Sequence, residues 1–320
     1  MSNISYLTSS HKGRTTQGKG GAIEPKSLIA ATLGGNVKSK ESVEQDKLGE
    51  RAINYVRARR CQGGGFCFYR LEEPNGSDTY YALSALSLLG MEMKDYDTMN
   101  LLKNLQEDDG SYVNIFLAYY AIKSLIVLGE KPKYDPTSYL SNIVRDCLVD
   151  SSELPVWTVS MFNSWYCLID LSFSLKIQLE QELMKDIVAS ILASLKEDKG
   201  FGDIRSTLLE TSQALAILKQ LNYPVGSLNV ENFIKKCEDP DSGFTGVPNT
   251  SMSYLEQVHG GLVACRVLSY KPRYLDQCIS FVKGCQNHNG SFSRQRGIST
   301  LEDTYYAIHS LSMLAALRNL

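Results

Sequence analysis

A glycine turn followed by an aromatic residue recurs along the chain at nearly constant spacing. Its copies are Cys61-Gln62-Gly63-Gly64-Gly65-Phe66, Gln106-Glu107-Asp108-Asp109-Gly110-Ser111-Tyr112, Lys196-Glu197-Asp198-Lys199-Gly200-Phe201, Asp241-Ser242-Gly243-Phe244 and Gln286-Asn287-His288-Asn289-Gly290-Ser291-Phe292. The anchoring glycines at 65, 110, 200, 243 and 290 stand 45, 90, 43 and 47 residues apart, so one copy is worn away near residue 155. A period of this length signals one supersecondary unit repeated, here six times.

Each unit predicts two helices. A first helix leads into the turn, over 43–60, 95–105, 136–149, 179–196, 229–237 and 273–285. A loop follows. A second helix then opens on polar residues and continues small and apolar, as in Ser77-Asp78-Thr79-Tyr80-Tyr81-Ala82, Leu209-Glu210-Thr211-Ser212-Gln213-Ala214 and Glu302-Asp303-Thr304-Tyr305-Tyr306-Ala307. Ser, Asp and Thr at such starts accept free first-turn N–H groups. The breaks at Gly90, Gly129, Tyr223-Pro224 and Lys271-Pro272 end those helices. No window reads as a series of strands. Twelve helices in six pairs predict an all-α (α/α)6 toroid in preference to an open solenoid, with second-helix starts around one mouth of a central cavity.

Residues 42–320 are read as that single domain. Residues 1–41 are polar, glycine-rich and basic, which predicts a flexible tail or a segment that orders over the cavity mouth or a partner. Net charge is −2, which argues against nucleic acid as a partner. No apolar run reaches the ~18 residues of a membrane span. The start of the sequence lacks a signal-peptide pattern, so the expected location is cytoplasmic. Cys61, Cys237 and Cys285 occupy one slot of three repeats, which reads as buried packing rather than disulfide or metal chemistry.

The glycine turn with its capped Ala-Leu helix resembles the repeat of the prenyltransferase and squalene-cyclase superfamily, over roughly residues 45–318. Within it the chain is most similar to the β subunits of protein farnesyl- and geranylgeranyl-transferases. The best stretch is Gly243-Phe244-Thr245-Gly246-Val247-Pro248 with Glu256-Gln257-Val258-His259-Gly260-Gly261. Those subunits carry a Gly-Val-Pro loop and a Glu-x-His-Gly-Gly start, one residue shorter between Glu and His. The resemblance implies an isoprenoid donor whose diphosphate is held near His259, and a helical-repeat partner subunit.

It also implies a zinc site that the residues do not supply. The family's ligand pattern falls on His259, Gly261 and Tyr306, of which only the histidine is an ordinary zinc donor. No metal is therefore expected. Glu256, His259 and Asp303 are the rearranged alternative, and Mg²⁺ would accompany a diphosphate substrate.

Four groups of residues are candidates for chemistry. His259 beside two glycines at a helix start, with Arg266 two turns on, suits a diphosphate. Arg294 and Arg296 in the last loop are further clamps, with Arg70 in the matching loop of the first unit. Glu302 and Asp303, in Thr300-Leu301-Glu302-Asp303-Thr304, partly resemble the acid motif of class II terpene cyclases, against a plain capping role shared with Asp78 and Glu210. Tyr80, Tyr81, Tyr119, Tyr120, Trp157, Phe162, Trp165, Tyr166, Tyr254, Tyr305 and Tyr306 form the aromatic set, of which Trp165, Tyr305 and Tyr306 are expected to flank an apolar chain. The expected function is an enzyme, a transferase or an acid-initiated cyclase, acting on an isoprenoid or similar apolar molecule without zinc, with Glu302 or Asp303 as the acid. The alternatives are a non-catalytic toroid binding a peptide or helical partner subunit, and a carbohydrate-active (α/α)6 enzyme using Glu210 and Asp303.

Overall fold

The computed structural model describes residues 40–149, 161–295 and 297–318. The region of the worn repeat copy, Trp157, Arg296 and all but the last two residues of the expected tail lie outside them.

Among the described residues, twelve α-helices alternate between two layers. The outer set is α1 (Lys40–Arg57), α3 (Tyr96–Lys103), α5 (Thr137–Val149), α7 (Gln181–Ala193), α9 (Glu231–Cys237) and α11 (Leu275–Gly284). The inner set is α2 (Gly76–Leu88), α4 (Ile115–Val127), α6 (Met161–Ser174), α8 (Leu208–Gln220), α10 (Leu255–Leu268) and α12 (Leu301–Leu317). Every inner helix packs on the next, and α12 packs on α2, so the inner layer is a closed ring. The expected toroid is the observed one. Inner helices are buried nearly all round, as α2 is from Asp78 to Leu86, because they have neighbours on every side. Outer helices bury one stripe, Ile187 and Ile191 in α7.

The repeated turn performs the joining. Phe66, Phe201 and Phe292 are buried, and their amides donate to Thr79, Thr211 and Thr304 Oγ1 at 3.0, 2.9 and 3.2 Å, fixing each turn to the inner helix of its own unit. The turn glycines face the outer helix region of the following unit. A Cβ on Gly110 would lie 2.6 Å from Asp135 O, and one on Gly243 would lie 2.1 Å from Cys278 Sγ. In the sixth unit the neighbour is the first: a Cβ on Gly290 would lie 2.1 Å from Arg51 O. The signature glutamine follows the same logic. Gln106 donates to Gly110 O and Tyr134 O, each at 3.0 Å, while Gln286 donates to Gly290 O at 3.1 Å and Leu48 O at 3.0 Å. The seam between units six and one is thus built like the joints within the chain.

Two small ladders were not expected from sequence. β1 (Glu238–Asp239) pairs antiparallel with β2 (Gly243–Phe244), and β3 (Phe292–Ser293) with β4 (Ser299–Thr300). β1 and β2 form because the tight glycine turn of the fifth unit brings its flanking backbone within hydrogen-bond reach, whereas β3 follows the turn of the sixth unit and pairs with the residues just before α12. The slot cysteines Cys61, Cys237 and Cys285 are buried and free, as packing requires.

Four of the six inner helices start on side-chain caps. Asn75, Asn114, Thr207 and Thr300 accept from the amides of Asp78, Leu117, Glu210 and Asp303. Asn114 is exposed, so its cap bond can be removed without disturbing the core. Asn114→Ala is expected to lower unfolding stability by about 1 kcal/mol and Asn114→Asp to retain it, read from urea midpoints.

Candidate functional site

All six inner helices wall one central cavity of about 350 Å³. The inward positions follow the i, i+3, i+4 rule: Glu302, Tyr305 and Tyr306 on α12, Phe116, Tyr119 and Tyr120 on α4, Asn163, Tyr166 and Cys167 on α6. Tyr80 and Tyr81 come from α2, Leu209, Ser212, Gln213 and Ala216 from α8, Glu256, His259 and Val263 from α10. The lining concentrates in the first turns of these helices, at the end where the loops enter. Tyrosines from neighbouring helices form a continuous collar, Tyr166–Tyr119–Tyr80–Tyr305, with ring centroids 6.2, 5.6 and 5.9 Å apart. Opposite it, the short side chains of Ser212 and Ala216 on α8 leave the space open.

Of the aromatic set, the adjacent pairs Tyr80-Tyr81, Tyr119-Tyr120 and Tyr305-Tyr306 line the cavity. Trp165 does not. It is buried in the protein core, because α6 turns Asn163, Tyr166 and Cys167 inward and leaves Trp165 outside that stripe. Phe162 is likewise core.

The two adjacent acids separate. Glu302 faces the cavity, and its Oε1 accepts from Tyr81 OH at 2.8 Å and Tyr306 OH at 3.0 Å. Asp303 turns away into the helix cap, where its Oδ2 accepts from Thr300 Oγ1 at 2.7 Å. Burial pushes the Asp303 carboxyl up to about 6, against the lowering effect of that bond. Asp78 and Glu210 do the same work, bonded to cap residues Asn75 and Thr207 at 2.7 and 2.8 Å. Asp303 therefore does not reach the cavity as a catalytic acid, and Glu210 and Asp303 do not face each other across it as a glycosidase pair.

His259 lines the wall, with its ring 4.6 Å from that of Tyr306. Its Nε2 stands 2.9 Å from Nδ1 of His309, a distance one shared proton bridges, and Tyr305 OH stands 3.3 Å from the same Nδ1. Burial, then the neighbouring His309, holds His259 well below the usual imidazole range. Burial, then Arg266, lowers His309 to about 4. The pair is neutral at pH 7 and supplies no charge to an anion. His309 escaped sequence reading, although it follows Tyr305 by one helical turn.

The expected cationic mouth is not found among the described residues. No lysine or arginine lines the cavity. Arg294 is ion-paired with Glu256 and stacks 4.7 Å from the Tyr254 ring centre. Arg266 is exposed in the last turn of α10; seven residues past His259 is about 10 Å further along the axis, beyond Val263, the last cavity residue of that helix. Arg70 is exposed and paired with Glu73 at 3.0 Å. Arg296 lies outside the described residues. One turn deeper than the collar, Lys123 is paired with Asp170 at 2.8 Å, and Gln220 donates to Asp170 at 3.1 Å.

The residues at the family's zinc positions do not fit the metal. His259 is engaged with His309, Tyr306 donates to Glu302, and Gly261 packs so tightly that a Cβ would lie 2.5 Å from the Phe244 ring. Glu256, His259 and Asp303 point to three different partners, Arg294, His309 and Thr300. Among the described residues no three His, Cys, Asp or Glu side chains gather as a metal-ion site, and no helix is long and apolar enough to cross a membrane.

A closed ring of six helix pairs around a tyrosine-walled cavity defines an α/α toroid. The chain belongs to the prenyltransferase alpha-alpha toroid domain family, whose profile matches residues 30–119 and 113–320. Among solved structures it is similar to Candida albicans protein geranylgeranyltransferase-I complexed with GGPP, with a TM-score of 0.57 and 16% identity over 91% of this chain and 90% of that one. No curated protein matches it in sequence.

Proposed function

We propose that this toroid is an enzyme that takes an isoprenoid or similar apolar chain into its hub. The observation that carries the reading is the set of seven tyrosines lining a cavity large enough for a small apolar ligand, in a chain of the prenyltransferase toroid family. Tyr305, Tyr306 and the other lining tyrosines would contact the chain, with His259 as a neutral hydrogen-bonding group. Glu302 is the side chain in this wall suited to proton transfer, since the phenols of Tyr81 and Tyr306 fix its position. The reading is zinc-independent, because the donor set at the family's metal positions lacks two of three competent ligands.

A ligand that binds only the folded state raises its melting midpoint. Screening isoprenoid alcohols and diphosphates of ten, fifteen and twenty carbons is expected to give a shift of several degrees for at least one. Ala216→Phe, which fills the open side of the cavity, is expected to abolish it. No shift with any of them at saturation, alongside a control protein that responds, removes the proposal.

A partner subunit or peptide is a second reading, favoured by the loops entering the inner helices. These carry Tyr69, Val113, Ile204, Met252 and Ile298, each more than half exposed, so five units present an apolar side chain on the mouth side. Cysteine cross-linking from Ile204→Cys and Ile298→Cys would trap such a partner; recovery of uncross-linked chain alone would argue against it.

A further inference from the structure

We propose that the cavity selects a cation, an alkylated ammonium carried on an apolar chain, over the corresponding alcohol or diphosphate. The inference rests on the proposed binding of an apolar chain in this hub, and it concerns the head group.

Among the described residues the wall has carboxylates and no cationic side chain. Glu256 and Glu302 both line it, and no lysine or arginine does. The charge of Glu256 is met by Arg294. That of Glu302 is met by no cation among the described residues: its Oε1 takes two phenolic hydrogen bonds, and its Oε2 has no hydrogen-bond partner among them. The surrounding rings are Tyr81, Tyr306 and, one contact further, Tyr120 and Tyr305, with centroids 5.5 to 5.9 Å from that of Tyr81. Aromatic rings with one uncompensated carboxylate form a receptor for an ammonium ion, drawn to ring faces and to the acid together.

The strongest opposing effect is the helix dipole. Six inner helices begin at this end, and free N-termini attract anions. Here four of those six termini are already occupied. Asn75, Asn114, Thr207 and Thr300 accept from the first-turn amides, and Asp78, Glu210 and Asp303 add negative charge at three starts. Two more acids, Glu256 and Glu302, lie in the first turns of α10 and α12. A diphosphate entering this mouth would find donors taken at four of the six starts and carboxylates facing it. The histidine pair does not alter the balance, since it is neutral at pH 7.

The test compares farnesylamine, farnesol and farnesyl diphosphate, with the geranyl set as a shorter series, by calorimetry at pH 7 on wild type and on Glu302→Gln. The amide keeps an acceptor for Tyr81 and Tyr306 and removes the charge. The amine is expected to bind at least tenfold tighter than the alcohol, and the diphosphate weakest. In Glu302→Gln the tenfold preference is expected to vanish while alcohol affinity holds, which separates specific binding from the surface activity of a long-chain amine. Equal affinity for amine and alcohol, tightest binding of the diphosphate, or a preference that survives in Glu302→Gln would overturn the inference and leave an apolar-chain site standing. Binding of none of the six compounds would overturn both.

Discussion

Gly290→Ala is expected to destabilise the protein by about 4 kcal/mol. Gly290 has φ of +91°, which costs a residue with a Cβ about 1–2 kcal/mol. The added methyl would also lie 2.1 Å from the backbone oxygen of Arg51 and 2.5 Å from its carbonyl carbon, so relief requires moving a helix rather than a side chain, an overpacking cost of about 1–3 kcal/mol. Gly90 is the control: its φ is +78°, yet a Cβ there meets nothing within 4 Å. Gly90→Ala should cost about 1 kcal/mol. Urea midpoints measure both. Equal effects would mean that the contact between units six and one does not hold the ring.

The second large effect is on pH dependence. An unfolded imidazole titrates near 6.5, and folded His309 at about 4. As pH falls the unfolded chain takes up the proton first, so the stability tied to neutral His309 is complete above pH 6.5 and is lost between 6.5 and 4. Between pH 7 and 5 the loss is about 2 kcal/mol. Asp303 acts in the opposite sense: its carboxyl titrates at about 6 when folded against 3.8 in its ordinary state, so it adds stability as pH falls through the same window. The two offset each other in wild type, and His259 carries the sign of His309. Removing one side exposes the other. His309→Asn is expected to gain about 2 kcal/mol relative to wild type between pH 7 and pH 5, in denaturation curves taken at both. Parallel curves would mean that His309 is protonated in the folded protein.

The architecture was legible because the turn glycines cannot be replaced without collision, which prints the period on the sequence. The tyrosine pairs were legible for a related reason: equivalent positions of a ring face the same hub. The direction of single side chains was harder to read. Glu302 and Asp303 are adjacent, and about 100° of helix separates a cavity acid from a capping one. Trp165 and Tyr166 differ by the same rotation, and α6 follows the worn repeat copy, where sequence offered no turn to set the phase. Arg266 was on the right face but too far along the axis. His309 lay hidden because its partner, His259, is fifty residues away and meets it only when two inner helices pack.

A solenoid that loses a terminal repeat is a shorter solenoid, because its ends are built to face water. This wheel has no ends. Each spoke is apolar on both flanks, and the joint from Gln286 and Gly290 to Leu48 and Arg51 is of the same make as the others. Excising any one spoke would leave an open arc with two raw edges and its hub exposed to solvent. Partial unfolding is correspondingly disfavoured, and the molecule is expected to melt as one body rather than unit by unit.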